Sequence, residues 1–397
     1  MCVFETQTNA LGLSPENPNS VGNPPLKIIY ISHLHPPPGA NTQNIGGMQT
    51  VSSQLLSHLS QRSDLSVYPL LLESPSQGIE RRTLRFLIRL YRTLPALIQR
   101  EQADVLLFAS MVTASLAVLL EPRVSIPMVT INHGQDVTIS GLLYQQWVPR
   151  IFHHLQGVIS VSSATQAASI ERGLDPAKSF VLPNGINIQP RPYHPERSRQ
   201  FIQAEFNLNL EGKYLLLSVG RQVQRKGHAW FIAEVLPKIQ HPVIYLLIGQ
   251  GKEFKRLHGL RAQAQHPEQI VLAGKTSRAL LQQAYDAADL FIMPNIPVRG
   301  DMEGFGVVIL EANEARTPVI ASDLEGIKDV VQNGINGYKV PPLNPSLFAK
   351  TIDEVLGNKF SFLCESAYEW VTQHCGWPSV CEQYVQVLQK VRDLHQS

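Results

Sequence analysis

QPRPYHPERSRQFIQ, residues 189–203, decides how the chain divides. It is dense in Pro and charge, breaks every hydrophobic period around it, and reads as an interdomain linker. On either side, short β-branched runs alternate with longer helical patterns, the βαβ signature of parallel, doubly wound sheets. Upstream the runs are KIIYIS (27–32), SVYPLLL (66–72), DVLLFAS (104–110), PMVTIN (127–132), GVISVS (157–162) and SFVLPNG (179–185). Downstream they are KYLLLSVG (213–220), PVIYLLIG (242–249), QIVLAG (269–274), ADLFIMP (288–294) and TPVIAS (317–322). A single sheet holding all of them would be unusually wide, so the expected architecture is α/β, two Rossmann-like domains. Such sheets bind ligands beyond the carboxyl ends of their strands, which places a cleft between the two.

The expected division is a flexible polar prefix (1–25), a first domain (26–188), a linker (189–212), a second domain (213–375) and a C-terminal helix (376–397) with Pro378 as a start signal. The prefix lacks a basic start and an apolar core, so no signal peptide is expected. No apolar run approaches the ~18–20 residues of a spanning helix. Lys+Arg number 34 against Asp+Glu 32, a balance that argues against a dedicated nucleic-acid binder. Cys2, Cys364, Cys375 and Cys381 form no CxxC pair, and His374 beside Cys375 has no second pair at zinc spacing. So few cysteines suit a reducing cytosol.

The densest chemistry lies in GDMEGFGVVILEANEARTPVIAS (300–322). Glu303 and Glu311 bracket Gly304, Phe305 and Gly306, where a strand-end loop enters a helix. Glycines there let the backbone approach a ligand, and amides at a helix start favour anions. Carboxylates accept hydrogen bonds from sugar hydroxyls, so the segment offers what both ends of a nucleotide sugar need. Taken alone, the two Glu also read as a solvated loop charge and a helix surface charge. SVGRQVQRKGHAW (218–230) puts Arg221 and Lys226 on a strand-to-helix loop, where two cations can neutralise a departing diphosphate; Arg225 is a helper, and the plain alternative is a basic surface loop. In QNIGGMQTVSSQLL (43–56), Gly46 and Gly47 precede a helix, a weak sign of a phosphate cradle. In TINHGQD (130–136), His133 ends a strand facing the cleft, and Asp136 is a candidate acceptor-side base.

Together these strings resemble the family 4 retaining glycosyltransferases, which have the GT-B fold. EGFGVVILE looks like their E-x7-E signature, and Gly220, Arg221, Lys226, Gly227, PNGIN (183–187) and ADLFIMP stand in the same order and spacing. The likeness runs from about Lys27 into the C-terminal helix. It implies that 26–188 binds acceptor, that 213–375 binds donor, that the linker is a hinge and that 376–397 crosses back onto the first domain. By the same likeness Arg221 and Lys226 would hold the donor diphosphate, with Gly46 and Gly47 near its phosphates. Glu303 would bind sugar hydroxyls, the amides of Gly304, Phe305 and Gly306 would touch sugar or phosphate, Glu311 would hold the ribose, and His133 would lie beside the sugar. Asn187 replaces a common Asp, and Pro36, Pro37 and Pro38 enrich the first loop.

The expected activity is therefore retaining transfer of a hexose-type sugar from a UDP- or GDP-sugar to a glycan, lipid-linked or small-molecule acceptor. No DxD triplet occurs, so neither metal nor cofactor is expected. A sugar-nucleotide epimerase or phosphorylase on the same fold, or a non-catalytic nucleotide-sugar-binding subunit, stays open. In IERRTLRFLIRLYRTLPALIQR (79–100), Leu84, Leu87, Ile88, Tyr91, Leu94 and Ile98 fall at helical spacing, with Arg81, Arg82, Arg85, Arg89 and Arg92 on the other side. This is either a helix packing its stripe on the sheet or a weak contact for an anionic bilayer. The expected location is cytoplasmic, peripheral on the inner membrane face in the second case.

Overall fold

The computed structural model describes residues 24–36, 47–73, 79–139, 141–188, 192–358 and 360–397. Gly46, Pro37 and Pro38 lie outside this set, as does the prefix through residue 23.

Two six-stranded parallel sheets carry the chain. The first has the order β2-β1-β3-β4-β5-β6, from β1 (Leu26–His35), β2 (Leu65–Glu73), β3 (Val105–Phe108), β4 (Met128–Asn132), β5 (Gly157–Ser160) and β6 (Ser179–Val181). The second has the order β12-β11-β10-β7-β8-β9, from β7 (Tyr214–Val219), β8 (Val243–Ile248), β9 (Ile270–Gly274), β10 (Leu290–Met293), β11 (Val319–Ser322) and β12 (Gly337–Val340). Strands such as β3 (VLLF) and β8 (VIYLLI) are buried throughout, because helices cover both faces and leave no water-facing alternation. Chain direction switches between β1 and β3 and between β7 and β10, so the loops leaving these four strands open into the crevice. The short strand β12 was not anticipated. Gly337 admits it to the sheet edge, since a Cβ there would lie 2.0 Å from the Val319 carbonyl oxygen.

Three features of the helices position the site. The region read as linker is largely a helix, α4 (Pro195–Phe206), with Pro195 in its first turn and Asn207 closing it at φ 50°. Pro at a helix start lacks only a hydrogen bond that the first turn leaves unmade anyway, so the prolines that broke the period upstream here begin a new one. Ser198 and Ile202 of α4 are buried, and Arg199 reaches Asp289 at 3.0 Å. The C-terminal helix α8 (Trp377–Gln396) returns to the first domain and lies on α1 (Gly47–Ser60). There Trp377 Nε1 donates to Gln54 Oε1 at 2.9 Å, and Arg62 meets Glu382 at 2.7 Å. The two passages between domains touch: Ile186 N donates to Cys375 O at 2.8 Å and Trp377 N to Ile186 O at 3.2 Å.

The basic helix α2 (Ile79–Glu101) divides its apolar residues between two directions. Leu90, Leu94 and Ile98 face the sheet. Leu84, Ile88 and Tyr91 point away from it, 60%, 46% and 36% exposed. The stripe expected on one face is thus split, and Arg81, Arg85, Arg89 and Arg92 flank its outward half.

Candidate active site

Glu303 stands on the loop from β10 to α6 (Val307–Glu314). Its buried Oε2 accepts from Arg225 Nη1, from Lys226 Nζ at 2.6 Å and from Asn295 Nδ2 at 3.1 Å. Burial alone would lift its pKa, but Lys226 and Arg225 outweigh that and hold the carboxyl down at about 2. Charge-assisted pairs of this kind are the strong ones in a dry site. The cations arrive on the loop after β7, and Gly227 explains how. At φ 67°, a Cβ on it would fall 1.8 Å from the Pro294 carbonyl oxygen, so only glycine lets this loop lie on the one after β10. Ile296 N donates to Arg225 O at 2.9 Å, joining the two.

A second set of bonds crosses the cleft. Arg225 Nε donates to Asp301 Oδ1 at 2.9 Å, and Gln135 of the first domain donates to the same oxygen at 2.7 Å. Arg221 Nη2 donates in turn to Gln135 Oε1 at 3.2 Å. Asp329 accepts from Ser163 N at 2.5 Å and from Ser163 Oγ at 2.6 Å. Its carboxylate therefore sits at the N-terminus of α3 (Ser163–Ile170), where the helix dipole favours negative charge. Backbones also meet here. A Cβ on Gly304 would be 1.9 Å from the His133 carbonyl oxygen, and one on Gly134 2.7 Å from Gly304 Cα.

The anticipated residues are distributed as follows. Arg221, Lys226, Glu303, Gly304 and His133 come together at the domain interface, through the contacts just given. His133 Nε2 donates to Ala109 O at 2.9 Å. Phe305 buries its ring in the core, so it can offer a ligand only its backbone. Gly306 takes φ 93° at the start of α6. Glu311 lies on α6 and accepts from Tyr285 Oη at 2.8 Å; burial raises its pKa. Gly47 opens α1, with nothing within 4 Å of where its Cβ would be. Asp136 is tied to the backbone, its two oxygens accepting from His133 N at 2.8 Å and Met111 N at 3.2 Å. The cavity of about 380 Å³ beside it is lined among others by His33, Met48, Ser110, Gln135 and Gly300.

Gln135, Asp301, Asn295 and Glu325 were not anticipated. Glu325 adopts φ 50° and accepts the Glu303 N–H with its side chain; burial raises its pKa, and Glu303 and Asp301 add to that. No short string marks these residues, because each gains its role from a partner that only the fold brings to it.

Two parallel sheets with a cation–carboxylate cluster between them define the class, a GT-B glycosyltransferase fold. The HepE protein of Anabaena, solved with UDP, superposes with a TM-score of 0.69 at 17% identity, covering 92% of this chain and 100% of that one. Sucrose-phosphate synthase of Thermosynechococcus elongatus superposes at 0.73 with 19% identity, covering 93% and 100%. Residues 45–190 match the model of Glycosyltransferase Family 4 and residues 199–371 that of Glycosyl transferases group 1. An uncharacterized glycosyltransferase of Methanocaldococcus jannaschii is 25% identical over 66% of this chain and 68% of its own length. A GDP-mannose-dependent phosphatidylinositol monomannoside mannosyltransferase of Mycobacterium tuberculosis is 27% identical over 66% and 70%. The chain belongs to the group 1 glycosyltransferases of family 4, and it is a nucleotide-sugar-dependent glycosyltransferase.

Proposed function

We propose that the enzyme moves a hexose-type sugar from a UDP- or GDP-sugar to a glycan, lipid-linked or small-molecule acceptor, with retention at the anomeric carbon and without a metal. The observation that carries this reading is the 2.6 Å contact of Lys226 with Glu303, which sets a phosphate-binding cation beside a sugar-binding carboxylate. Arg221 and Lys226 then take the diphosphate, neutralising the charge that grows as the anomeric C–O bond breaks. The acceptor oxygen bonds to that carbon from the same face, and its proton passes to the departing phosphate oxygen. Glu303, held ionised, orients the sugar. HepE is solved with UDP, and the mycobacterial relative is GDP-mannose-dependent; both support a nucleoside diphosphate donor. The outward stripe of α2, apolar side chains edged with arginine, fits an anionic bilayer carrying a lipid-linked acceptor, with the enzyme on its cytoplasmic face.

Glu303→Gln tests the reading. The amide keeps the shape and an acceptor for Lys226, whereas alanine would leave that buried cation unpaired at a cost of about 3–5 kcal/mol, with Arg225 keeping only Asp301. Transfer should fall by about 10²–10³-fold in Glu303→Gln, with the melting temperature within a few degrees of wild type. Near-normal turnover would refute the assignment. A thermal-shift screen of nucleoside diphosphates and their sugars names the base, and turnover that needs no acceptor would point to an epimerase instead.

A further inference from the structure

Asn295 stands two residues past the end of β10 and is 1% exposed. Its Nδ2 donates to Glu303 Oε2 at 3.1 Å. A carboxylate held ionised only accepts, so this bond fixes which end of the amide carries nitrogen. The amide oxygen is then buried with no donor among the described residues. A buried acceptor left unmade is costly, because its water partners are lost and not replaced. Two neighbours share the condition: Ser322 Oγ at the end of β11 and Gln222 Oε1 just after β7 are also buried without partners. Strands β11, β10 and β7 are adjacent, so all three atoms lie along the carboxyl edge of one sheet, where this architecture takes its ligand. Asn295 is the one bonded to the carboxylate that meets the sugar.

We propose that Asn295 reads the transferred sugar: Oδ1 accepts a hydrogen bond from one hydroxyl of the donor while Glu303 takes another. The inference rests on the nucleotide-sugar reading above and adds a specificity residue to it. A site that presents an acceptor to a hydroxyl rejects the analogue lacking that hydroxyl, because the acceptor then stays unpaired.

The test is calorimetric binding of UDP, GDP, UDP-glucose and GDP-mannose to wild type and Asn295→Ala. The variant should bind the bare diphosphate within about twofold of wild type and its sugar nucleotide at least tenfold more weakly. Its ligand-free melting temperature should not fall by more than a few degrees. Unchanged affinity for the sugar nucleotide overturns the proposal. An equal loss for diphosphate and sugar nucleotide also overturns it, since that marks Asn295 as a prop for the loop. Should Asn295→Ala fail to fold, Asn295→Ser carries the same comparison. Wild type that binds none of the four ligands sinks the nucleotide-sugar reading, and the proposal with it.

Discussion

His33 shows what burial does to a single group. It is buried at the end of β1, with Nδ1 3.3 Å from Ser110 Oγ. Burial lowers its pKa to about 4, and His133 contributes. The unfolded chain, near 6.5, therefore binds this proton first. Stability is present above pH 6.5 and is lost as pH falls toward 4, by on the order of 3 kcal/mol for the shift as a whole. Urea unfolding at pH 7.5 and 5 should show a drop that is smaller in His33→Gln; an equal drop in both would refute the assignment. The Glu303 carboxyl, held at about 2, contributes stability that disappears only below about pH 4.5, so this window leaves it aside. At this scale Glu303, Lys226 and the glycines were legible because strand-end strings carry them. Asp136 looked like a base in sequence, and its anchoring bond from the Met111 N–H could not be read there, since only folding brings that group to it. Arg225 is the reverse case. A helper in sequence, it is held by both Asp301 and Glu303.

Among elements, α2 carries the sharpest prediction. A helix meant only to pack would turn Leu84 and Ile88 inward with Leu90 and Leu94, but they face water. Each would regain about 1.5–3 kcal/mol on full burial in an apolar phase, and the flanking arginines add attraction to anionic headgroups. Co-sedimentation with phosphatidylglycerol-containing vesicles should drop several-fold in Leu84→Asp/Ile88→Asp and with rising salt, while neutral vesicles bind little. Binding that ignores both changes would remove the bilayer from the account. Spacing revealed the helix but not its orientation, which depends on how the sheet beneath it twists. Eleven strands could be read because β-branched runs bounded by turns are unambiguous. The last strand, GYKV, opens on a glycine and carries a lysine, and so does not signal itself. The helix α4 was hidden by its leading Pro195 and the prolines just before it, which look alike whether they end a period or start one.

Across the whole molecule, the closed cleft depends on Gly304 having no side chain. Gly304→Ala would drive a methyl group into the His133 carbonyl, at a nominal 1.9 Å, and backbone cannot yield as a flexible side chain would. The two sheets should stay folded while the domains part. Small-angle scattering should then give a larger radius of gyration than wild type. Transfer should fall at least tenfold, with diphosphate binding, which the proposed function assigns to Arg221 and Lys226 of the second domain, affected far less. A variant as compact as wild type would mean that the domains adjust elsewhere.

The course of α8 bears on how the protein can be cut. One folding unit is discontinuous in sequence: 24–188 supplies its sheet, and the twenty-residue helix Trp377–Gln396 supplies a wall of it. A gene split inside 189–191 would thus yield a first fragment lacking its cover and a second bearing that cover as an arm. Co-produced, the pieces should reassemble, with the indole of Trp377 seated over Gly185, where even a methyl group would collide with the ring.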